Sequence, residues 1–196
     1  MSEVKEAYSV ADYVADLRRI DREESDDREK CKLLEPLSLK LAHTLANQPG
    51  GLKEEYFKCY PDQGFGLHLL HEEDDHSLPV FLFSWLPGRG TPVHDHKTWG
   101  VVVGISGVET EILWKRRDDG SKPGYADLEH VGNQELTVDD TSTFLGDAIH
   151  TVQNDGEETT LSLHTYGMHI NHTGRLQFDP EAKTVEPCVV YKVEGE

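Results

Sequence analysis

Cysteine is scarce in this chain: Cys31, Cys59 and Cys188 are the only three in 196 residues, far apart and odd in number. No two of them have the close spacing of a thiolate metal site, and they do not make a disulfide framework. Sparse, unpaired thiols fit a reducing compartment, so a cytoplasmic location is expected. Positive charge is equally thin. Lys plus Arg number 19 against 37 Asp plus Glu, a formal net charge of −18. Such a surface repels phosphate backbones and anionic lipid, so neither nucleic acid nor a membrane is expected as a partner. The one basic run, Lys115-Arg116-Arg117, is too short to alter that. Long apolar runs are missing too. No stretch approaches the ~18 residues that a membrane span needs. The opening MSEVKEAYSVADYV has neither the basic start nor the apolar segment of a secretory signal. The length suits one domain with a substantial core, working as a monomer or small homo-oligomer.

What is present falls into two parts. Residues 1–55 read as a helical N-terminal extension and 56–196 as a β-barrel, together one domain. Ser9 can cap a helix over 9–20, in which Val10, Tyr13, Val14, Leu17 and Ile20 share a face. The charge run 21–30 reads as a solvated helix end or loop. A second helix is expected from about Pro36, a residue suited to a first turn, with Leu37, Leu41 and Leu45 as its stripe and Gly50-Gly51 as its stop. From Tyr56 onward, short strand-like runs recur between turn signals: GLHLLH, PVFLFSW, WGVVVGI, VETEILWKRR, ELTVDD, TSTFLG, IHTVQN, TTLSLHTY, RLQF and VVYKVE. Many short strands at this spacing predict a sandwich, jelly roll or barrel.

Within the stretch PVHDHKTWGVVVG, read as a strand, His94 and His96 fall on one side and Asp95 on the other. Two imidazoles so placed can take two positions on one metal ion. His150, in GDAIHTVQN, is the best third ligand. The wider spacing is informative. Gly88 is followed after five residues by His94, then His96, three residues, Gly100, six residues and Gly107. This resembles the first motif of the cupins, with Gly100 where glutamate is usual. Gly146 and the later His150-Thr151-Val152-Gln153-Asn154 resemble the second motif. The glycines suit strand ends that need positive φ. The resemblance implies an all-β cupin fold, a jelly-roll barrel, with the N-terminal helices packed on it. Three neutral imidazoles without the glutamate leave positions open and suit iron, zinc, copper or nickel alike.

A second constellation lies in TTLSLHTY, where Ser162, His164 and Tyr166 share one face at period two. Linked in sequence by hydrogen bonds, they would fix the imidazole tautomer and hold the Tyr166 hydroxyl in place. In isolation such a strand reads first as an edge strand with its polar residues facing solvent. Beside the cupin motifs, roughly residues 65–180 resemble the thiol dioxygenases, the family of cysteine and 3-mercaptopropionate dioxygenases, and most closely their bacterial branch. That resemblance implies Fe(2+) held by His94, His96 and His150, a relay of Ser162, His164 and Tyr166, and oxidation of a small thiol by O2 to the sulfinate. Animal-type members carry, after the HxH pair, a cysteine that crosslinks to the relay tyrosine; here that position is Gly100. The family's carboxylate-binding arginine or glutamine aligns with Leu67 or His68, which reproduce neither. Arg175 stands where the bacterial branch has an arginine suited to a carboxylate. Trp85 and Trp99 are candidates for core or pocket wall, and His68, His71, His169 and His172 for pocket or exposed surface. Another metal-dependent cupin enzyme, an isomerase or ring-cleaving dioxygenase, would share the HxH pair without the relay. A non-catalytic cupin would have a closed or occupied coordination sphere.

Overall fold

The computed structural model describes residues 7–188, so the strand expected over 189–194 lies outside the described residues. Helix α1 (Val10–Glu23) starts where the sequence places it. The Ser9 hydroxyl accepts the Asp12 N–H at 3.2 Å, and the Asp12 carboxylate accepts the Ser9 N–H at 2.8 Å. This reciprocal cap satisfies two otherwise orphaned donors. Helix α2 (Asp27–Asn47) starts nine residues before Pro36. Asp26, inside the charge run, caps it by accepting the N–H groups of Arg28 and Glu29. Pro36 therefore sits within the helix, where it removes one backbone bond. Packing of Cys31, Leu34, Leu41 and Ala42 holds the helix through that gap.

Among the described residues, twelve strands follow a short 3-10 turn at Glu54–Phe57. They are β1 (Phe65–His71), β2 (Val80–Trp85), β3 (Arg89–Gly90), β4 (Val93–His94), β5 (Gly100–Ser106) and β6 (Glu109–Arg116), then β7 (Leu128–Leu136), β8 (Thr141–Phe144), β9 (Ile149–Asn154), β10 (Thr160–Tyr166), β11 (Leu176–Asp179) and β12 (Thr184–Pro187). The stretch expected as a strand at ELTVDD is the end of β7 and the turn after it. All pairings are antiparallel. One sheet runs β1-β2-β10-β5-β8, and the other β12-β11-β4-β9-β6-β7 with β3 against β9.

Each face of the first sheet has its own core. Leu82, Val101, Val103, Leu161 and Leu163 pack outward with Tyr13, Leu17 and Leu34 of the helices. Phe65, Leu67, Phe81, Phe83, Trp85 and Tyr166 pack with Val152 of the other sheet and Ile170. A buried Leu or Phe side chain contributes roughly 1.5–3 kcal/mol, so both cores resist slippage of β10, whose seven residues are all buried. One residue of register error would exchange its two faces. Tyr13 adds a polar pin from behind: its hydroxyl bonds Ser38 Oγ at 2.7 Å and Thr165 Oγ1 at 2.8 Å.

Candidate metal centre and relay

His94 ends β4 and pairs in register with His150 on β9. His96 is not on the same strand. β4 is two residues long, and Lys97, at φ 58°, breaks the extended run before β5. The two histidines still converge: each of the three rings lies with its centroid 4.8 Å from the other two. Their donor nitrogens all lie within 4.8 Å of one another, and all three residues are buried. One ion can gather such a set.

The donor chemistry fits a divalent transition metal. His94 Nδ1–H donates to the Pro92 carbonyl at 3.0 Å, and His150 Nδ1–H donates to Glu111 Oε1 at 3.1 Å. Both assignments leave Nε2 as the ligand atom, the usual work of an outer partner. His96 Nδ1 is buried with no hydrogen-bond partner among the described residues, so none of them fixes its tautomer. Burial, then the neighbouring histidines and Arg175, hold His94 and His96 well below the usual imidazole pKa, and so neutral and able to ligate. Glu111 is buried, which by itself raises its pKa. Bonds from His150, Gln134 and Ser142 outweigh burial and keep it a carboxylate.

The relay residues form a continuous chain. Ser162 Oγ lies 2.8 Å from His164 Nε2, and His164 Nδ1 lies 2.7 Å from the Tyr166 hydroxyl. β10 is the central strand of its sheet, between β2 and β5, so the solvent-facing edge reading does not hold. Burial depresses His164 to about 3, leaving one N–H and one lone pair for its two neighbours. Burial likewise raises Tyr166, which stays a phenol.

Gly100 owes its place to close approach rather than to φ. A Cβ there would lie 2.4 Å from the Phe144 ring and 2.9 Å from Tyr166 Cδ1. A glutamate or a cysteine there would require the Phe144 ring to shift. Phe144 instead packs on the His96 ring, with centroids 4.1 Å apart.

A narrow cavity of about 30 Å³ touches all of these groups: His94, His96, His150, His164, Tyr166 and Arg175 line it, with Phe65, Phe83, Trp85 and Ile170 among its apolar walls. A larger cavity of about 420 Å³ lies behind His150 at Glu111 and meets neither His94, His96 nor Tyr166. The small cavity is the one that joins the three histidines to the relay tyrosine.

Arg175 is buried in the cavity wall. Asp95 holds it there indirectly. That carboxylate accepts the Leu176 N–H at 2.7 Å and the Lys97 ammonium at 2.7 Å, tying the loop of the histidine pair to the chain just after Arg175. Trp85 reaches the cavity; Leu67 and His68 are not among its lining residues. Leu67 packs in the inner core, while His68 alternates to the other face, 3.3 Å from the Lys58 carbonyl and edge-on to Tyr56. His71 pairs with Glu73 at 3.0 Å, and His169 packs on Phe81 and near His172. Trp99 belongs to the outer core.

Sequence reasoning missed Glu109 and Glu111. Both face inward from β6 and both are buried. The signal was available in VETEILW, where two carboxylates alternate with Val108, Thr110 and Ile112.

Two facing antiparallel sheets with three converging histidines between them define a cupin double-stranded β-helix with a candidate metal centre. No family model matches the chain. Similar solved structures include an uncharacterized conserved protein with a double-stranded beta-helix domain from Klebsiella pneumoniae, 15% identical over 64% of this chain and 93% of that one, TM-score 0.45. Another is an oxalate oxidase in complex with the substrate analogue glycolate, 14% identical over 66% of this chain and 64% of that one, TM-score 0.45. A third is the Cupin_2 domain of an XRE family transcriptional regulator from Enterobacter cloacae, 20% identical over 55% of this chain and 99% of that one, TM-score 0.37. No helix among the described residues is long and apolar enough to cross a membrane.

Proposed function

We propose that this protein is a mononuclear non-haem iron(II) dioxygenase that converts a small anionic thiol to its sulfinate. The reading rests on one observation: a hydrogen-bonded Ser162–His164–Tyr166 chain ends in the same small cavity as three converging imidazoles. An isomerase or a metal store has no evident need of that chain.

His94, His96 and His150 would hold the metal. Iron(II), when bound, supplies Lewis acidity that lowers a thiol pKa and redox chemistry toward dioxygen. The balance is simple: one thiol and one O2 give one sulfinic acid, with both oxygen atoms on sulfur. The remaining work falls to the chain. Arg175 presents a guanidinium to the substrate's anionic group, where a planar fork matches a carboxylate. The aromatic walls narrow the cavity and favour a small substrate. Tyr166 offers a fixed hydroxyl that can donate to, or accept from, a group in the cavity.

Anaerobic loading with iron(II), followed by oxygen-electrode assays on cysteine, 3-mercaptopropionate, cysteamine, mercaptosuccinate and a thioimidazole, tests this. The expected result is equimolar consumption of oxygen and one carboxylated thiol, with cysteamine poorer. No thiol-dependent uptake across the panel would overturn the proposal. Tyr166→Phe should slow turnover by about 10²-fold or more while the bound iron is unchanged. Loss of iron in that variant would mean Tyr166 supports the metal instead.

A further inference from the structure

The relay does not stop at Ser162. The Ser162 hydroxyl lies 3.1 Å from Glu109 Oε2, and Thr160 Oγ1 donates to Glu109 Oε1 at 3.0 Å. Glu109 is 3% exposed, and among the described residues no cation forms an ion pair with it. An uncompensated carboxylate at the inner end of a hydrogen-bonded chain is expensive to bury. It is also the only member of the chain able to take up or release a proton near neutral pH.

We propose that Glu109 is a positioning residue whose protonation sets the direction of every hydrogen bond in the relay, and so decides whether Tyr166 points its proton at His164 or into the cavity. This rests on the reading of Tyr166 given above. With Glu109 ionised, Ser162 donates to it, His164 Nε2–H donates to Ser162, and Tyr166 donates to His164 Nδ1. The Tyr166 oxygen then faces the cavity as an acceptor. When one proton is taken up, Glu109 donates to Ser162 and Ser162 donates to His164 Nε2. His164, now carrying its hydrogen on Nδ1, donates to the Tyr166 oxygen, which frees the phenol hydrogen for the cavity. The chain holds three protons in the first state and four in the second, and the imidazole changes tautomer without ever becoming charged.

Electrostatics place both states within reach. Burial pushes Glu109 up to about 7 against the hydrogen bonds of Ser162 and Thr160 and the weaker pull of the Trp85 indole N–H. Glu111, two residues along β6, adds to the rise. From β10 the titratable groups on the chain are His164 and Tyr166. β2 presents Trp85 and β7 presents Leu136, neither of them charged. Arg175 acts on Tyr166 at the far end. The sign is fixed: a Tyr166 hydroxyl that donates to the cavity belongs to the acid side.

Nitrogen-15 NMR of the histidine side chains tests this in the full chain loaded with diamagnetic zinc, without substrate or oxygen. The His164 signals are those lost in His164→Asn. The hydrogen should move from Nε2 to Nδ1 as pH falls, with a midpoint near 7. Glu109→Gln should abolish the transition, leaving one tautomer at every pH, and Glu109→Asp should restore a transition at a shifted midpoint. Should the glutamine variant not fold, Ser162→Ala, which cuts the chain next to the carboxylate while leaving Glu109 itself in place, should also abolish it. A single His164 tautomer throughout in the unaltered protein would overturn the proposal, as would a transition that survives in either variant. Because no thiol is involved, this result stands apart from the oxygen-uptake assay: a failed assay with an intact tautomer change would sink the dioxygenase reading and keep the relay.

Discussion

Two hydrogen-bonded arms leave the same strand of this molecule and behave differently. From Glu111 a short arm runs to His150 and stops at the candidate metal centre. From Glu109, two residues earlier on the same face of β6, a longer arm runs through Ser162 and His164 to Tyr166. Both carboxylates are buried. Yet Glu111 is held below the usual range and Glu109 is raised to about 7. The donors decide. Glu111 receives an imidazole N–H, an amide N–H from Gln134 and the Ser142 hydroxyl. Glu109 receives two hydroxyls, which are weaker donors and can turn round to accept. Residue type and depth alone do not set the charge of a buried acid; its donors do. The metal arm is built to keep a fixed charge, and the relay arm to let one change.

The strongest way to break this comparison is to remove the far end of the metal arm. His150→Ala should take bound metal from about one ion per chain to nearly none, because two imidazoles do not hold a divalent ion against water. Elemental analysis after dialysis measures this. The relay should be untouched, with His164 keeping its NMR signals. If those signals shift as much as the metal content falls, the two arms are one network and the contrast is false.

Glu111→Gln is a gentler cut. The amide can still accept from His150, but it loses the negative charge and brings its own N–H groups against the Gln134 amide and Ser142. Outer partners of metal-binding histidines typically carry about 10–100-fold of metal affinity, and a loss of that size is expected. Competition titration against a chelator of known affinity checks it. An unchanged affinity would mean that the Glu111–His150 contact orients the ring without strengthening the ligand.

The unequal legibility of the two arms in the sequence has a physical cause. His94, His96, Ser162, His164 and Tyr166 stand at i, i+2 spacings, and convergence on one side survives even where the first pair leaves its strand. The carboxylates had the same spacing but not the same force, because alternating Glu on a strand ordinarily faces water. Only the opposite sheet, brought over by β10, turns that face of β6 into an interior. Arg175 was visible through resemblance alone, since its place in the cavity wall depends on Asp95 bonding the backbone of Leu176, a contact between residues 81 apart. The start of α2 was hidden for the reverse reason: Pro36 advertised a first turn, while the working cap, Asp26, was one acid among many.

The smallest effect is expected from the serine at the middle of the longer arm. Ser162→Ala removes one of the two donors to Glu109 and the partner of His164 Nε2, both inside the barrel. A buried polar group left unsatisfied costs about 1–3 kcal/mol. The loss should stay near the lower end, because Thr160 still serves Glu109, and the carboxyl can lower its own cost by remaining protonated to higher pH. The variant should therefore lose about 1 kcal/mol or a little more in urea denaturation at pH 6, and more at pH 8, where the carboxyl must ionise with one donor fewer. Zinc affinity should not move, since every contact of His150 and Glu111 is intact. A stability loss equal at the two pH values would show that Ser162 serves packing only and that Glu109 does not titrate through it.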